Sequence, residues 1–329
     1  MTGLSQDVAE LPEALAATIE AREGVDEVAA LLGADGVRRI VATGNGAAYY
    51  VAVALWLASL EGRDGPDVVA VPSGLVARGA FAWRPGDALL AISSSGEFRD
   101  LVEAVDAGAP SPYAAITATA DSTLGSRAGA RALVSVLHQR AVTHTQAFCG
   151  AVAAALAVWA ELTGDASLRE ALARAPVDCA AAVDAARDWA GDAEGTDASF
   201  AVAFGSGPAW AAALEAALLL KEVGGIPAEG VETREGATSA MMALRPGHLA
   251  VSLPAGDDPL LDEAEAICRA RGAAVARAPV PAFADRRLAA ISTFPAAAAL
   301  SERIGVERGL DVDRPAWIDA YYQVARAGE

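Results

Sequence analysis

Apolar residues recur at helical spacing through residues 11–32, in an otherwise acidic stretch, which predicts a helix there. After Gly36 the pattern changes, and short unbroken apolar runs alternate with longer helical ones. Strands are predicted at 37–43, 67–71, 87–93 and 113–117, with a fifth at 132–137. Helices are predicted at 47–60, 98–107 and 146–162. Strands that are apolar on both faces need helices on both sides, so this order predicts an α/β fold with a doubly wound parallel sheet.

Residues 165–195 are rich in Ala, Asp and Arg and keep helical spacing without a strand, as a connection would. The alternation then restarts: strand 200–204, helix 208–223, strand 248–253, helix 259–271 and strand 274–278. The two openings can be laid on each other. Ala42-Thr43-Gly44-Asn45-Gly46 matches Ala203-Phe204-Gly205-Ser206-Gly207, and in each a Gly-x-Gly turn links a strand to a long Ala/Leu helix. The chain therefore reads as a duplicated α/β domain. Its parts are an N-terminal helical segment (1–35), a first domain (36–164), the connection (165–195), and a second domain with a C-terminal tail (196–329).

Composition narrows the partners. Of 329 residues, 53% are apolar and 21% charged, and the mean hydropathy is +0.30. Such a chain fills a core rather than staying disordered. A formal charge of −18 makes nucleic acid and anionic membrane poor partners. The apolar stretches at 47–60 and 151–162 fall short of the roughly 20 residues a membrane span needs. The acidic start lacks the basic region of a signal peptide. Three scattered cysteines, Cys149, Cys179 and Cys268, fit a reducing cytoplasm better than a secreted disulfide scaffold. Lysine occurs once, as Lys221, so a protein imine can form only there or at the N-terminus.

Ligands of open parallel sheets bind beyond the carboxyl ends of the strands, where helix N-termini offer N–H groups to anions. Ser93-Ser94-Ser95-Gly96-Glu97 is the best such loop in the chain. Its hydroxyls and backbone N–H groups suit a phosphate, although an ordinary helix start with solvated serines looks the same. The matching loop of the second half, Pro254-Ala255-Gly256-Asp257-Asp258, carries two carboxylates that repel phosphate. That asymmetry argues for one composite site rather than two equivalent ones. Gly44-Asn45-Gly46 is not a dinucleotide fingerprint, because the third glycine falls at Tyr49 and the next strand ends in Val71-Pro72-Ser73. No cofactor is expected.

The helix at 208–223 holds the sharpest candidate. Glu215 and Glu222 are seven apart and share a face. Glu222 stands just before Gly224-Gly225, which reads as the helix stop. An anion there opposes the helix dipole, and partial burial raises its pKa further. A carboxylate tuned upward suits a base that removes a proton beside a carbonyl; a surface ion pair is the alternative. His138, His144 and His248 show no ligand spacing, so no metal is expected. Gly205-Ser206-Gly207 is one residue short of a nucleophile elbow.

Residues 42–46, Ile92-Ser93-Ser94-Ser95-Gly96-Glu97, residues 203–207 and Leu214-Glu215-Ala216-Ala217-Leu218-Leu219-Leu220-Lys221-Glu222 resemble, in this order, the tandem sugar isomerase (SIS) domains. The likeness is greatest to the isomerase half of glutamine–fructose-6-phosphate amidotransferase, without its glutaminase domain. Thr143-His144-Thr145-Gln146-Ala147-Phe148 is similar to that family's segment closing the first domain. Gly309-Leu310-Asp311-Val312-Asp313-Arg314-Pro315 is similar to its C-terminal signature. The resemblance implies two flavodoxin-like SIS domains, each a parallel sheet flanked by helices, paired as a homodimer. It implies a phosphosugar site at the domain and subunit junction. Gly44, Asn45, Gly46, Ser93, Ser94, Ser95, Gly96, Glu97, Arg99, Thr145 and Lys221 would bind substrate, the serine loop holding phosphate. Glu222 would move a proton between C1 and C2.

The departures from the family pattern are specific. Its phosphate-binding hydroxyl in the first glycine turn falls on Gly46, and its threonine after Gly-Glu on Phe98, whose bulk would narrow the site. Its ring-opening histidine falls on Thr238 and its imine-forming lysine on Ala320. Arg99, Arg78 or Arg314 would then help hold phosphate, and Glu235 or His144 would supply the missing acid. Lys221 points about 100° around the helix from Glu222. The expected function is a cytoplasmic enzyme acting on a phosphorylated sugar or amino sugar, an aldose–ketose isomerase or an amino-sugar-phosphate deaminase or deglycase. The alternatives are a non-catalytic phosphosugar-binding module and a biosynthetic enzyme with rewired chemistry on the same fold.

Overall fold

Strands buried on both faces organise the protein, as the unbroken apolar runs require. The computed structural model describes residues 1–62, 65–280, 283 and 285–325. In chain order, α1 (Gly3–Ala9), α2 (Leu11–Ala21) and α3 (Val25–Leu32) lead into β1 (Arg39–Gly44) and α4 (Ala47–Ser59). Next come β2 (Asp67–Pro72), α5 (Ser73–Ala77), β3 (Asp87–Ile92), α6 (Arg99–Asp106), β4 (Ala114–Thr117), α7 (Thr123–Arg127) and β5 (Ala130–Leu133). Two long helices follow, α8 (Gln146–Thr163) and α9 (Ala166–Asp192). The pattern resumes with β6 (Phe200–Gly205), α10 (Ala209–Glu222), β7 (Ala228–Glu232) and α11 (Thr233–Thr238). It closes with β8 (His248–Ser252), α12 (Pro259–Ala270), β9 (Ala274–Arg277), α13 (Ala289–Ser292), α14 (Phe294–Glu307) and α15 (Ile318–Ala325).

The strands form two sheets, ordered β2-β1-β3-β4-β5 and β7-β6-β8-β9, with every pair parallel. Both wind the same way, so strand order reverses between β1 and β3 in one sheet and between β6 and β8 in the other. The α/β class and the duplication are thus as the pattern predicts. The chain clusters into two units. The five-stranded unit comprises Glu13–Leu137, Gln146–Arg174 and Trp317–Glu329. The four-stranded unit comprises Met1–Pro12, His138–Thr145 and Ala175–Ala316.

The two Gly-x-Gly turns share one geometry. A Cβ on Gly44 would lie 2.5 Å from the carbonyl carbon of Ala48, and one on Gly205 would lie 2.1 Å from the oxygen of Ala209. Only glycine lets each helix leave so close to its strand. Gly46 and Gly207 take φ of 54° and 55°, which turns the chain into α4 and α10.

Some elements differ from the pattern. The single helix expected at 11–32 breaks into α2 and α3, because Arg22 and Gly24 take left-handed φ of 45° and 76°. Strand β5 starts two residues before its predicted position. Helices α1 and α13–α15, and the edge strand β7, were not legible. β7 lacks an apolar run, having only Val231 as a large apolar residue between Glu229 and Glu232, and its Gly230 is needed because a Cβ there would stand 2.5 Å from the oxygen of Ala213 on α10. Helix α8 is long and apolar enough for a membrane span, but it is largely buried within the protein.

Helix α1 is fastened at both ends inside the four-stranded unit. Asp313 accepts from the N–H groups of Gly3 and Leu4 at 2.7 and 2.8 Å, complementing the helix N-terminus. Asp7, fully buried, accepts from the N–H groups of Arg140 and Ala141 and from Arg140 Nη1. Arg140 also grips Glu10, and together with His138 it lowers the Glu10 pKa to about 2.

Candidate functional site

The loop after β3 is built around its own serines. Ser93 is buried; its N–H donates to Ile116 O on β4, and its Oγ accepts from the N–H of Gly96 at 3.1 Å. Ser95 Oγ accepts from the N–H of Glu97. Thr117 Oγ1 and the N–H of Ala118 both donate to Ser94 O. Gly96 is required twice over: its φ is 66°, and a Cβ would fall 1.9 Å from Ser122 Oγ.

These bonds use Ser93 and Ser95 to shape the loop. The Ser94 hydroxyl and the N–H groups of Ser94 and Ser95 have no partner among the described residues. Helix α6 starts at once, without a side-chain cap. Unpaired N–H groups, a free hydroxyl and a helix N-terminus make a cradle for an anion. The neighbouring Gly44-Asn45-Gly46 turn is also without a side-chain cap on α4. Thr43 Oγ1 donates to Val71 O at 2.7 Å and holds the ends of β1 and β2 together beneath it.

Glu97 is engaged within the protein. Its carboxylate accepts from the N–H of Thr123 at 2.6 Å and from Thr123 Oγ1 at 2.7 Å, and so caps α7. Its partner lies 26 residues away, where no local pattern signals it. Phe98 does not narrow the loop. It packs against the core cluster of Leu89, Leu101, Tyr113 and Leu124. Arg99 is half-buried and leans toward Glu103 at 3.8 Å, and Arg78 is exposed.

In the four-stranded unit, α10 sets the electrostatics. Glu222 ends the helix half-buried, and burial raises its pKa to about 7, with the Lys221 charge opposing the rise. Glu215 is 2% exposed, and its Oε2 has no hydrogen-bond partner. Burial, and secondly the charge of Glu222, push its pKa well above the ordinary carboxylate range. One face of α10 thus carries a carboxyl raised to about 7 and another, more deeply buried, raised well above the ordinary range. Lys221 itself is exposed.

The other candidates in this unit are less engaged. His144 is exposed on the surface, yet desolvation by the surrounding protein lowers its pKa. Thr145 is buried. Glu235 is exposed in the first turn of α11. Thr238 Oγ1 donates back to Glu235 O, within its own helix.

The fold therefore gathers the candidates into two groups. Gly44, Asn45, Gly46, residues 93–97 and Arg99 belong to the five-stranded unit. His144, Thr145, Lys221, Glu222 and Glu235 belong to the four-stranded unit.

No protein-family model matches the chain, and no curated protein matches it. Solved structures do. The C-terminal domain of glucosamine-fructose-6-phosphate aminotransferase from Francisella tularensis superposes with a TM-score of 0.82 at 19% identity, covering 95% of this chain and 98% of that one. Glucosamine-6-phosphate deaminase from Thermotoga maritima gives 0.77 at 18% identity, covering 96% and 98%. Tagatose-6-phosphate ketose/aldose isomerase from Escherichia coli gives 0.73 at 20% identity, covering 96% and 95%. These likenesses establish the fold. They run the full length of the chain, so both sheets and the helices after the second sheet belong to it.

Proposed function

We propose that this protein is an enzyme acting on a phosphorylated sugar or amino sugar, with Glu222 moving a proton between C1 and C2. The observation that carries the proposal is the half-buried carboxylate at the end of α10, raised to about 7 by burial. A base of that pKa is poised for proton abstraction beside a carbonyl at neutral pH. The anion cradle at residues 93–96 supports a phosphate on the substrate, and the structural neighbours whose names carry sugar phosphates support the same class.

In an aldose–ketose isomerisation, Glu222 takes the C2 proton, the C–H electron pair forms the C1–C2 double bond, and the carbonyl oxygen is protonated. Return of the proton from Glu222 to C1, with loss of the O2 hydroxyl proton as the C2 carbonyl forms, gives the ketose. On a 2-amino sugar the same transfer gives a C2 imine, which water hydrolyses to a ketone and ammonia. Two carboxyls on one face of α10, both raised by burial, with Glu222 at about 7, support acid–base work of this kind.

A second reading, a phosphosugar-binding module without turnover, rests on Thr238 and Ala320. The first turns its hydroxyl onto its own backbone, and the second carries no amine. Proton NMR in D2O with fructose 6-phosphate and glucosamine 6-phosphate separates the two. Deuterium entering at C1 or C2, and lost in Glu222→Gln, supports the enzyme. Thermal stabilisation by these ligands without exchange supports the binding module. Neither response removes the hexose-phosphate reading.

A further inference from the structure

Helices α1, α9 and α14 frame a groove of about 310 Å3 within the four-stranded unit. Neither the serine loop nor Glu222 lines it, and no role assigned above uses it. The lining residues Ala186, Ala190, Gly191 and Ala299 are small, and Val8 and Val183 make the rest of this surface apolar. The volume sits at the lower end of small-molecule sites, about 300–1,000 Å3. A packed helix, about 10 Å across with its side chains, needs more room.

Four polar residues line the groove, and three are already engaged. Arg303 Nη1 donates to the carbonyls of Ala190, Gly191 and Ala193, and its Nε donates to Glu307. Glu302 accepts from Thr2 Oγ1, and Ser5 Oγ donates to Thr2 O. Arg187 makes no hydrogen bond among the described residues; its nearest carboxylate, Asp184, stands 4.0 Å away and both are exposed. The one charge at the groove that can turn to a ligand is thus a guanidinium, on a protein of net charge −18.

We propose that this groove binds a small amphiphilic carboxylate, its hydrocarbon part on the small-residue lining and its anion on Arg187. A guanidinium pairs with a carboxylate through two parallel hydrogen bonds, which an alcohol or an ammonium group cannot supply. The proposal does not depend on the sugar-phosphate reading, because its test reads binding and not turnover.

Isothermal titration of the full chain with sodium octanoate tests it, with octanol and octylammonium chloride as controls. The expected result is saturable octanoate binding, at least tenfold weaker octanol binding and no octylammonium binding. Arg187→Glu should weaken octanoate at least tenfold, and Arg187→Lys should restore part of the loss. Ala299→Phe should abolish binding by filling the groove, with Val306→Trp as a second filling variant and circular dichroism to show that each folds. Absence of octanoate binding, equal binding of the controls, or affinity unchanged in Arg187→Glu and in a folded groove-filling variant would overturn the proposal.

Discussion

Glu215 and Glu222 lie two turns apart on one face of α10, and the charge of Glu222 adds to the burial that raises the Glu215 pKa. Glu222 stands at the helix end, where unpaired carbonyls already carry partial negative charge.

The raised pKa of Glu222 gives stability a pH dependence with a definite sign. The folded chain holds the Glu222 proton up to about pH 7, whereas the unfolded chain releases it near 4.5. The contribution is complete below pH 4.5 and is lost as pH rises through 7. The full span corresponds to about 3 kcal/mol. Glu222→Gln should remove that slope, so that the variant gains on the native chain between pH 4.5 and 8 in urea unfolding.

The serines of the loop have separable roles. Ser93 holds the turn through Gly96, while the Ser94 hydroxyl is free. Ser94→Ala should leave the melting temperature unchanged and weaken phosphosugar binding about fivefold to tenfold, the worth of about one hydrogen bond. Ser93→Ala should lower stability by about 1 kcal/mol as well as weakening binding. Thermal melts with and without inorganic phosphate separate the two.

Gly96→Ala combines a left-handed backbone with a contact at 1.9 Å to Ser122 Oγ. Strain of this kind costs about 1–3 kcal/mol. The variant should melt earlier and lose phosphate protection, because Ser122 also caps α7 through the N–H of Gly125. A melt matching the native protein would show that the loop has another conformation available.

Asp7 joins α1 to the Arg140 segment through a fully buried carboxylate. Asp7→Ala leaves two backbone donors and part of a guanidinium without an acceptor. The expected loss is about 3 kcal/mol in urea unfolding, and Asp7→Asn should fall between the two. Equal stability of all three would mean that α1 is held by its apolar contacts alone.

The elements that were legible are those whose signal is local. Buried parallel strands show as unbroken apolar runs, and the Gly-x-Gly turns show because no other residue tolerates the approach of Ala48 and Ala209. The placement of Glu222 before Gly224 and Gly225 likewise announced a carboxylate at a helix end. Edge strand β7 was hidden because its partial exposure lets it carry Glu229 and Glu232 and leaves it no apolar run. The break at Arg22–Gly24 was hidden because the apolar spacing continues across it.

The sequence by itself determined the α/β class, the duplicated turn and the two places where an anion and a base can sit. Those features follow from periodicity and from glycine stereochemistry, which act over a few residues. The tertiary structure alone decided which polar groups remain available. Glu97 is engaged by Thr123, 26 residues on, and Asp313 caps a helix some 309 residues before it. The Glu215 pKa is raised because the packed chain buries it and, secondly, sets the charge of Glu222 near it. Hydrogen-bond satisfaction and desolvation are properties of the packed chain, since they depend on neighbours that the order of residues does not place side by side.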